Sequence, residues 1–237
     1  MKTKLLIRLL PAYASVLLVF LLIVTLGNHA VNVITEAAPV KDRSCIIIDA
    51  GHGGIDGGAT SCTGVLESKL NLEVALRLED LLHLMGIDTI MIRSTDRSVY
   101  TEGETIAAQK VSDLKNRVTI VNRNAHALLL SIHQNYFGSS KYCGAQIFYN
   151  KHTDSKQLAA DMQYAFTETI NKGSRRKAKA ASGIYLMDHI RNPGILIECG
   201  FLSNPSEEHA LRTPEYQKKL CCIIAGVSAQ YLHRKIS

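Results

Sequence analysis

With 237 residues, 46% of them apolar and 20% charged, the chain is no disordered protein and is long enough for one domain with a real core. Its net charge of +6 includes Lys2, Lys4 and Arg8 near the start, and no aromatic-interleaved basic patch accompanies the small remainder, which argues against a nucleic-acid partner. The six cysteines contain no C-x-x-C pair, so neither a zinc knuckle nor a disulfide-dense scaffold is encoded.

The chain opens on a leader. Lys2, Lys4 and Arg8 precede a stretch, 9–35, that holds no Asp, Glu, Lys or Arg. Its apolar core, 14–26, has the length of a signal-peptide core and is short for a full membrane span. The flanking positive charges keep the N-terminus in the cytoplasm and send the rest outside. Residues 1–40 therefore read as a signal peptide or membrane anchor plus linker, in contact with the membrane. The small-residue segment at 35–38 is a candidate cleavage site; cleavage and retention both stay open. Residues 41–237 read as one exported domain.

Within that domain strand-like and helix-like segments alternate. Residues 45–50 (CIIIDA) form a short β-branched run ending at glycines, the mark of a buried strand. Leu70, Val74, Leu78, Leu81, Leu82 and Met85 follow helical spacing, and Gly86 stops that helix. A second strand is expected at 87–92. A helix on Leu114, Val118, Val121 and Ala125 follows, then strands at 127–132 and 145–149. Asp154 can cap a helix that buries Leu158, Met162, Ala165, Phe166 and Ile170. Short strands are expected at 184–187 and 194–197. Thr213-Pro214 then starts a last helix that buries Leu220, Ile224, Val227 and Tyr231. The fold class is α/β, a mostly parallel sheet of about six strands with helices on both faces.

Polar residues fall in a pattern on this frame. CIIIDA runs into Gly51-His52-Gly53-Gly54, ALLLSI into His133-Gln134-Asn135, and GILI into Glu198-Cys199-Gly200. Three polar groups thus stand at the C-terminal ends of three buried strands, the edge where open parallel sheets bind ligands. A buried strand has no ordinary use for them, because an unpaired buried His or Glu is costly. Glu67 starts the helix fifteen residues after His52 and can return over the same edge. Two His and one Glu are a donor set used by catalytic zinc sites. Each also has a plainer reading: His52 as a turn residue, His133 as a satisfied core histidine, Glu67 as a helix-start carboxylate, Glu198 as a structural partner of an arginine. His83, His126, His152, His189, His209 and His233 read as ordinary.

Together these segments resemble the zinc-dependent N-acetylmuramoyl-L-alanine amidases of the Amidase_3 family. The matching stretches are IIIDAGHGGIDGGA (46–59), LESKLNLEVALRL (66–78), IRSTD (92–96), NRVTIVN (116–122), LLLSIHQN (128–135), GAQIFY (144–149) and ILIECGFLSN (195–204). The resemblance implies a six-stranded, mostly parallel sheet and one Zn2+ ion held by His52, Glu67 and His133. It implies Glu198 as the catalytic glutamate and peptidoglycan as the substrate, cut between N-acetylmuramic acid and L-alanine. Ala50, Gln134 and Cys199 depart from common family residues, and Gln134 is placed to alter the cleft floor. The segment from Ser131 to Asn150 is most similar to the sporulation- and germination-specific CwlD subgroup, which prepares spore-cortex muramic-δ-lactam. Asp49, Asp56, Arg93 and Asn135 are candidates for supporting the ligands or positioning substrate.

Two rival functions remain at this level, a zinc peptidase acting within the stem peptide and a non-catalytic wall-binding scaffold. An amidase that needs an exported activator is a third. Cys45, Cys199, Cys221 and Cys222 lie in apolar runs and read as small buried hydrophobes. Cys62 and Cys143 fall in predicted loops, where a bridge between them is open. The basic run Arg175-Arg176-Lys177 with Lys179 reads as a solvated loop.

Overall fold

The computed structural model describes residues 44–236; the expected leader and its cleavage segment lie outside them. Among the described residues no helix is long and apolar enough to cross a membrane. The elements are β1 (Ile46–Ala50), α1 (Glu67–Leu84), β2 (Thr89–Met91), α2 (Ile106–Asn122), β3 (Leu128–Asn135), β4 (Gln146–Tyr149), α3 (Ser155–Thr169), β5 (Lys179–Ala180), α4 (Tyr185–His189), β6 (Gly194–Phe201), α5 (Pro205–Leu211) and α6 (Pro214–Ile236).

The strands form one sheet in the order β2-β1-β3-β6-β4-β5. The first four are mutually parallel, β4 is antiparallel to β6, and β5 follows β4 in parallel. The expected α/β architecture is therefore present, with a reversed pair at one edge. All five residues of β1 are buried, as a strand covered on both faces requires. One face carries Ile46, Ile48, Leu130, Ile132 and Ile197 against Leu70, Val74 and Leu78 of α1, Leu158 and Phe166 of α3, and Leu220 and Ile224 of α6. The other carries Ile47, Leu129 and Leu196 against Val121 of α2 and Leu186 and Met187 of α4. Each such Leu or Ile contributes about 1.5–3 kcal/mol by leaving water.

Several local expectations change. Residues 185–187 belong to a short helix, α4, with Ile184 extended before it, because a run that brief does not distinguish periods 2 and 3.6. Met85 is exposed beyond the end of α1, and Ala125 is exposed past the end of α2. The Asp154 side chain caps nothing; its carboxylate pairs with Lys235 of α6 at 2.5 Å. Thr213 does cap α6, its Oγ1 accepting from the Tyr216 amide at 3.3 Å. Cys222 is exposed and Cys45 half-buried, whereas Cys199 and Cys221 are buried; Cys62 and Cys143 are both exposed free thiols. Strands β3 and β6 run on through His133 and Glu198, so these residues are paired rungs of the sheet rather than loop residues.

Candidate metal centre

His133 and Glu198 are direct partners in the β3–β6 register, so their side chains leave the same face of the sheet side by side. His52 comes from the glycine loop after β1, with φ at 62°, a left-handed conformation that few non-glycine residues adopt. Glu67 is the first residue of α1, and its amide is anchored on the Ala59 carbonyl at 2.8 Å. The four candidate residues thus come from four separate segments that converge on one sheet edge.

The Glu67 carboxylate bridges the two imidazoles. Oε2 lies 3.3 Å from His52 Nε2, and Oε1 lies 3.0 Å from His133 Nδ1. One ligand atom from each of the three residues falls within 4.8 Å of the others. The rings meet edge to face with centroids 5.0 Å apart. The His52 and His133 side chains are 26% and 20% exposed while Glu67 is 5% exposed, so the imidazoles form a rim that solvent reaches.

The charges follow. Burial opposes protonation of His52, but hydrogen bonds and attraction from Glu67 and Asp56 outweigh it and push the imidazole up to about 9. Burial works against ionised Glu67 too, yet the two histidines hold it well below the usual carboxylate range. Glu198 behaves oppositely. Burial is the leading cause that pushes it up to about 7, with Glu67 adding to the rise and the histidines opposing it. Its Oε2 is buried without a hydrogen-bond partner. A buried carboxylate oxygen left unpaired beside a two-His, one-Glu cluster fits a site built to receive a cation and a reacting proton.

The family model for N-acetylmuramoyl-L-alanine amidases, Amidase_3, matches residues 46–228. The chain belongs to this family. The amidase is 40% identical over 192 residues to the germination-specific N-acetylmuramoyl-L-alanine amidase of Bacillus subtilis (strain 168), covering 80% of each chain. Among solved structures it is similar to the CwlD amidase from Clostridioides difficile in complex with the GerS lipoprotein, with TM-score 0.77 and 38% identity over 81% of this chain and 99% of that one. It is also similar to an N-acetylmuramoyl-L-alanine amidase from Clostridium difficile 630, with TM-score 0.69 and 31% identity over 80% and 97% of the two chains. The enzyme is thus a peptidoglycan amidase, hydrolysing the bond between N-acetylmuramic acid and L-alanine.

Around the cluster the amidase adds supports. Asp56 accepts from or faces His52 Nδ1 at 2.9 Å, the carboxylate–histidine pairing that orients a metal ligand, and Lys110 holds Asp56 at 2.8 Å. Arg93 donates to the carbonyls of Ala50, Gly51 and Ser68 at 2.7, 2.9 and 2.8 Å, tying the loop to the start of α1. Asp49 faces Arg117 and Ser131 rather than the ligands. Asn135 ends β3, and its carbonyl accepts from the Leu202 amide at 2.7 Å. Gln134 corrects the sequence expectation. It is buried, its Nε2 reaches Asn71 Oδ1 at 3.3 Å, and it lies beneath Glu67 rather than on the cleft floor, because neighbouring strand residues point to opposite faces.

Three supports escaped the sequence reading. Asn71 donates to Glu67 Oε1 at 3.2 Å and to the Gly51 carbonyl at 3.1 Å. The Ala59 amide donates to Glu67 Oε2 at 3.0 Å. Arg117 joins α2 to the loop through the His52 carbonyl at 2.8 Å. The spacings Glu67–Asn71 and Asp113–Arg117 are both i,i+4, a signal on one helix face that was available.

Two glycines are steric conditions of the site. A Cβ on Gly51 would stand 2.2 Å from the His133 ring, and one on Gly58 would stand 2.6 Å from Glu67 Oε2 with φ at 67°. Gly51→Ala should therefore displace His133 and weaken metal affinity by at least about tenfold, the scale of losing a ligand's orientation. Titration with a competing chelator checks this, and unchanged affinity would remove the steric argument.

Proposed function

We propose that the amidase holds one Zn2+ through His52, Glu67 and His133, with Glu198 as its catalytic carboxylate. The observation that carries this reading is the convergence of three ligand atoms within 4.8 Å beside a carboxylate whose buried oxygen has no partner. Imidazole and carboxylate donors suit zinc and leave a position for water or substrate. When bound there, the ion supplies Lewis-acid polarisation of the scissile carbonyl and eases deprotonation of water.

The chain's own residues do the rest. Glu198 takes a proton from the attacking water as the water oxygen bonds to the carbonyl carbon. It returns that proton to the alanine nitrogen as the C–N bond breaks. The products are the lactyl carboxylate on muramic acid and a stem peptide with a free L-alanine amine. In the metal-free protein burial pushes this carboxyl up to about 7, and a general acid–base works best with its pKa near the working pH. Asp56 keeps His52 oriented through Nδ1, and Arg93, Arg117 and Asn71 keep the glycine loop in register with Glu67.

The germination-specific relative supports a role in the spore, and we infer that this role is removal of peptide from cortex muramic acid ahead of muramic-δ-lactam formation. The lipoprotein held by the Clostridioides difficile relative supports an exported accessory partner for this chain as well. Residues 1–40 act as signal peptide or membrane anchor, and the catalytic domain, 41–237, works on the wall side of the membrane.

Metal analysis tests the ligand set. The wild type should carry one zinc per chain and His133→Ala should carry almost none; full zinc in that variant would sink the assignment. The linkage to pH is a further expected result. Ligation needs a neutral imidazole, and His52 stays protonated up to about 9 in the metal-free protein. Each zinc bound near neutral pH should displace about one proton, and apparent affinity should rise about tenfold per pH unit before levelling near pH 9. Calorimetric titration in buffers of different ionisation enthalpy reads the proton count. A count of zero would contradict the charge state given to His52.

A further inference from the structure

We propose that a basic groove beside the catalytic carboxylate is the stem-peptide subsite, binding the peptide's carboxylates and setting the direction in which substrate crosses the centre. This rests on the site reading above. The run Arg175-Arg176-Lys177 with Lys179 is not simply a solvated loop. With Lys141 and Lys172 it lines a groove of about 920 Å³. None of these six cations is in an ion pair among the described residues. The acid in the wall, Glu207, has its oxygens turned to the Gly144 and Phe201 amides, each at 2.8 Å, and forms no ion pair with these cations.

The groove adjoins the centre along the sheet. Gln146 is the register partner of Glu198 across the β4–β6 pair, so it follows His133 and Glu198 in one row on the same sheet face. The buried Gln146 lines the groove, and Arg176 Nη1 lies 3.5 Å from its Oε1. Arg176 is itself fixed, donating to the Cys143 carbonyl at 3.0 Å and lying over the Phe201 ring at 4.8 Å. Neighbouring strands are about 4.8 Å apart and an extended peptide advances about 3.3 Å per residue. The first cation is therefore within a few residues of the scissile bond.

The substrate's charge is one-sided. The lactyl carboxyl of muramic acid is consumed in the amide, so the N-acetylated glycan is neutral there. The stem peptide carries free carboxylates from its second residue onward. The cationic side of the centre thus takes the peptide, and the glycan leaves toward the opposite side.

Lys172 and Arg175 are exposed and outside the catalytic machinery, so K172E/R175E tests the groove without threatening the fold. The zinc-loaded full chain would be assayed on two synthetic muramoyl peptides, one with free stem carboxylates and one with them amidated. The double variant should raise KM for the free-carboxylate substrate at least tenfold with kcat unchanged, and leave the amidated substrate unaffected. Calorimetry with the released stem peptide should show the same loss of affinity. A wild type active on both substrates, with the variant matching it on both and binding the peptide equally, would overturn the groove alone. A wild type that releases no peptide from either substrate while zinc-loaded would instead overturn the site reading beneath it.

Discussion

Glu198→Gln should keep its zinc and lose at least about 100-fold in stem-peptide release, the lower end of what a positioned general base contributes. The substitution is nearly isosteric, so the β3–β6 register that sets Glu198 beside His133 has no reason to shift. No hydrogen bond or ion pair joins Glu198 to Glu67 or the imidazoles; the bonds that anchor the candidate cluster run through Glu67, Asp56 and Asn71. What the amide cannot do is accept the water proton. The variant should also lose the acid limb of the pH–rate profile that reflects the Glu198 carboxyl. Release of peptide at the wild-type rate, measured by mass spectrometry of digested peptidoglycan, would remove Glu198 from the reaction.

Arg117→Met should destabilise the fold by about 3–5 kcal/mol, measured by urea denaturation of the metal-free protein. The Arg117 and Asp49 side chains are 3% and 2% exposed and joined in an ion pair. Arg117 also reaches Asp113 at 2.6 Å and the carbonyls of Ala50 and His52 at 3.1 and 2.8 Å. Burial would raise the Asp49 carboxyl, but Arg117, His133 and Ser131 together hold it below the usual range. Removing the guanidinium strands a buried carboxylate and frees the His52 carbonyl, while the Ala50 carbonyl keeps its bond from Arg93. Pairing the change with Asp49→Asn should recover a good part of the loss, because both charges then leave together. A double variant no more stable than Arg117→Met would show that the carbonyl contacts, not the ion pair, dominate.

The sheet and the candidate cluster at its edge were legible for a shared reason. Runs such as IIIDA and LLLSI must be buried on both faces, so a histidine or glutamate directly after them stands out as a group with a task. The i,i+4 partners Asn71 and Arg117 were less visible because they sit among ordinary helix-surface polars, and only the packing of α1 and α2 on the sheet turns them inward. Residues 184–187 misled because four apolar-rich residues fit either period. Composition reads the arginine-lysine run as a solvated loop, and it cannot show that Arg176 is held over Phe201 or that Gln146 stands in the Glu198 row. Gln134 was placed on the wrong face by neglect of strand alternation, an error that the sequence itself could have prevented.

The most direct test of the account is anomalous diffraction at the zinc edge from crystals of the full chain. One peak should lie about 2.0–2.2 Å from a nitrogen of His52, a nitrogen of His133 and an oxygen of Glu67, with Glu198 beside it but not bound to it. A peak at another cluster, or an ion that takes Glu198 as a ligand in place of Glu67, would contradict the division of roles on which the mechanism stands.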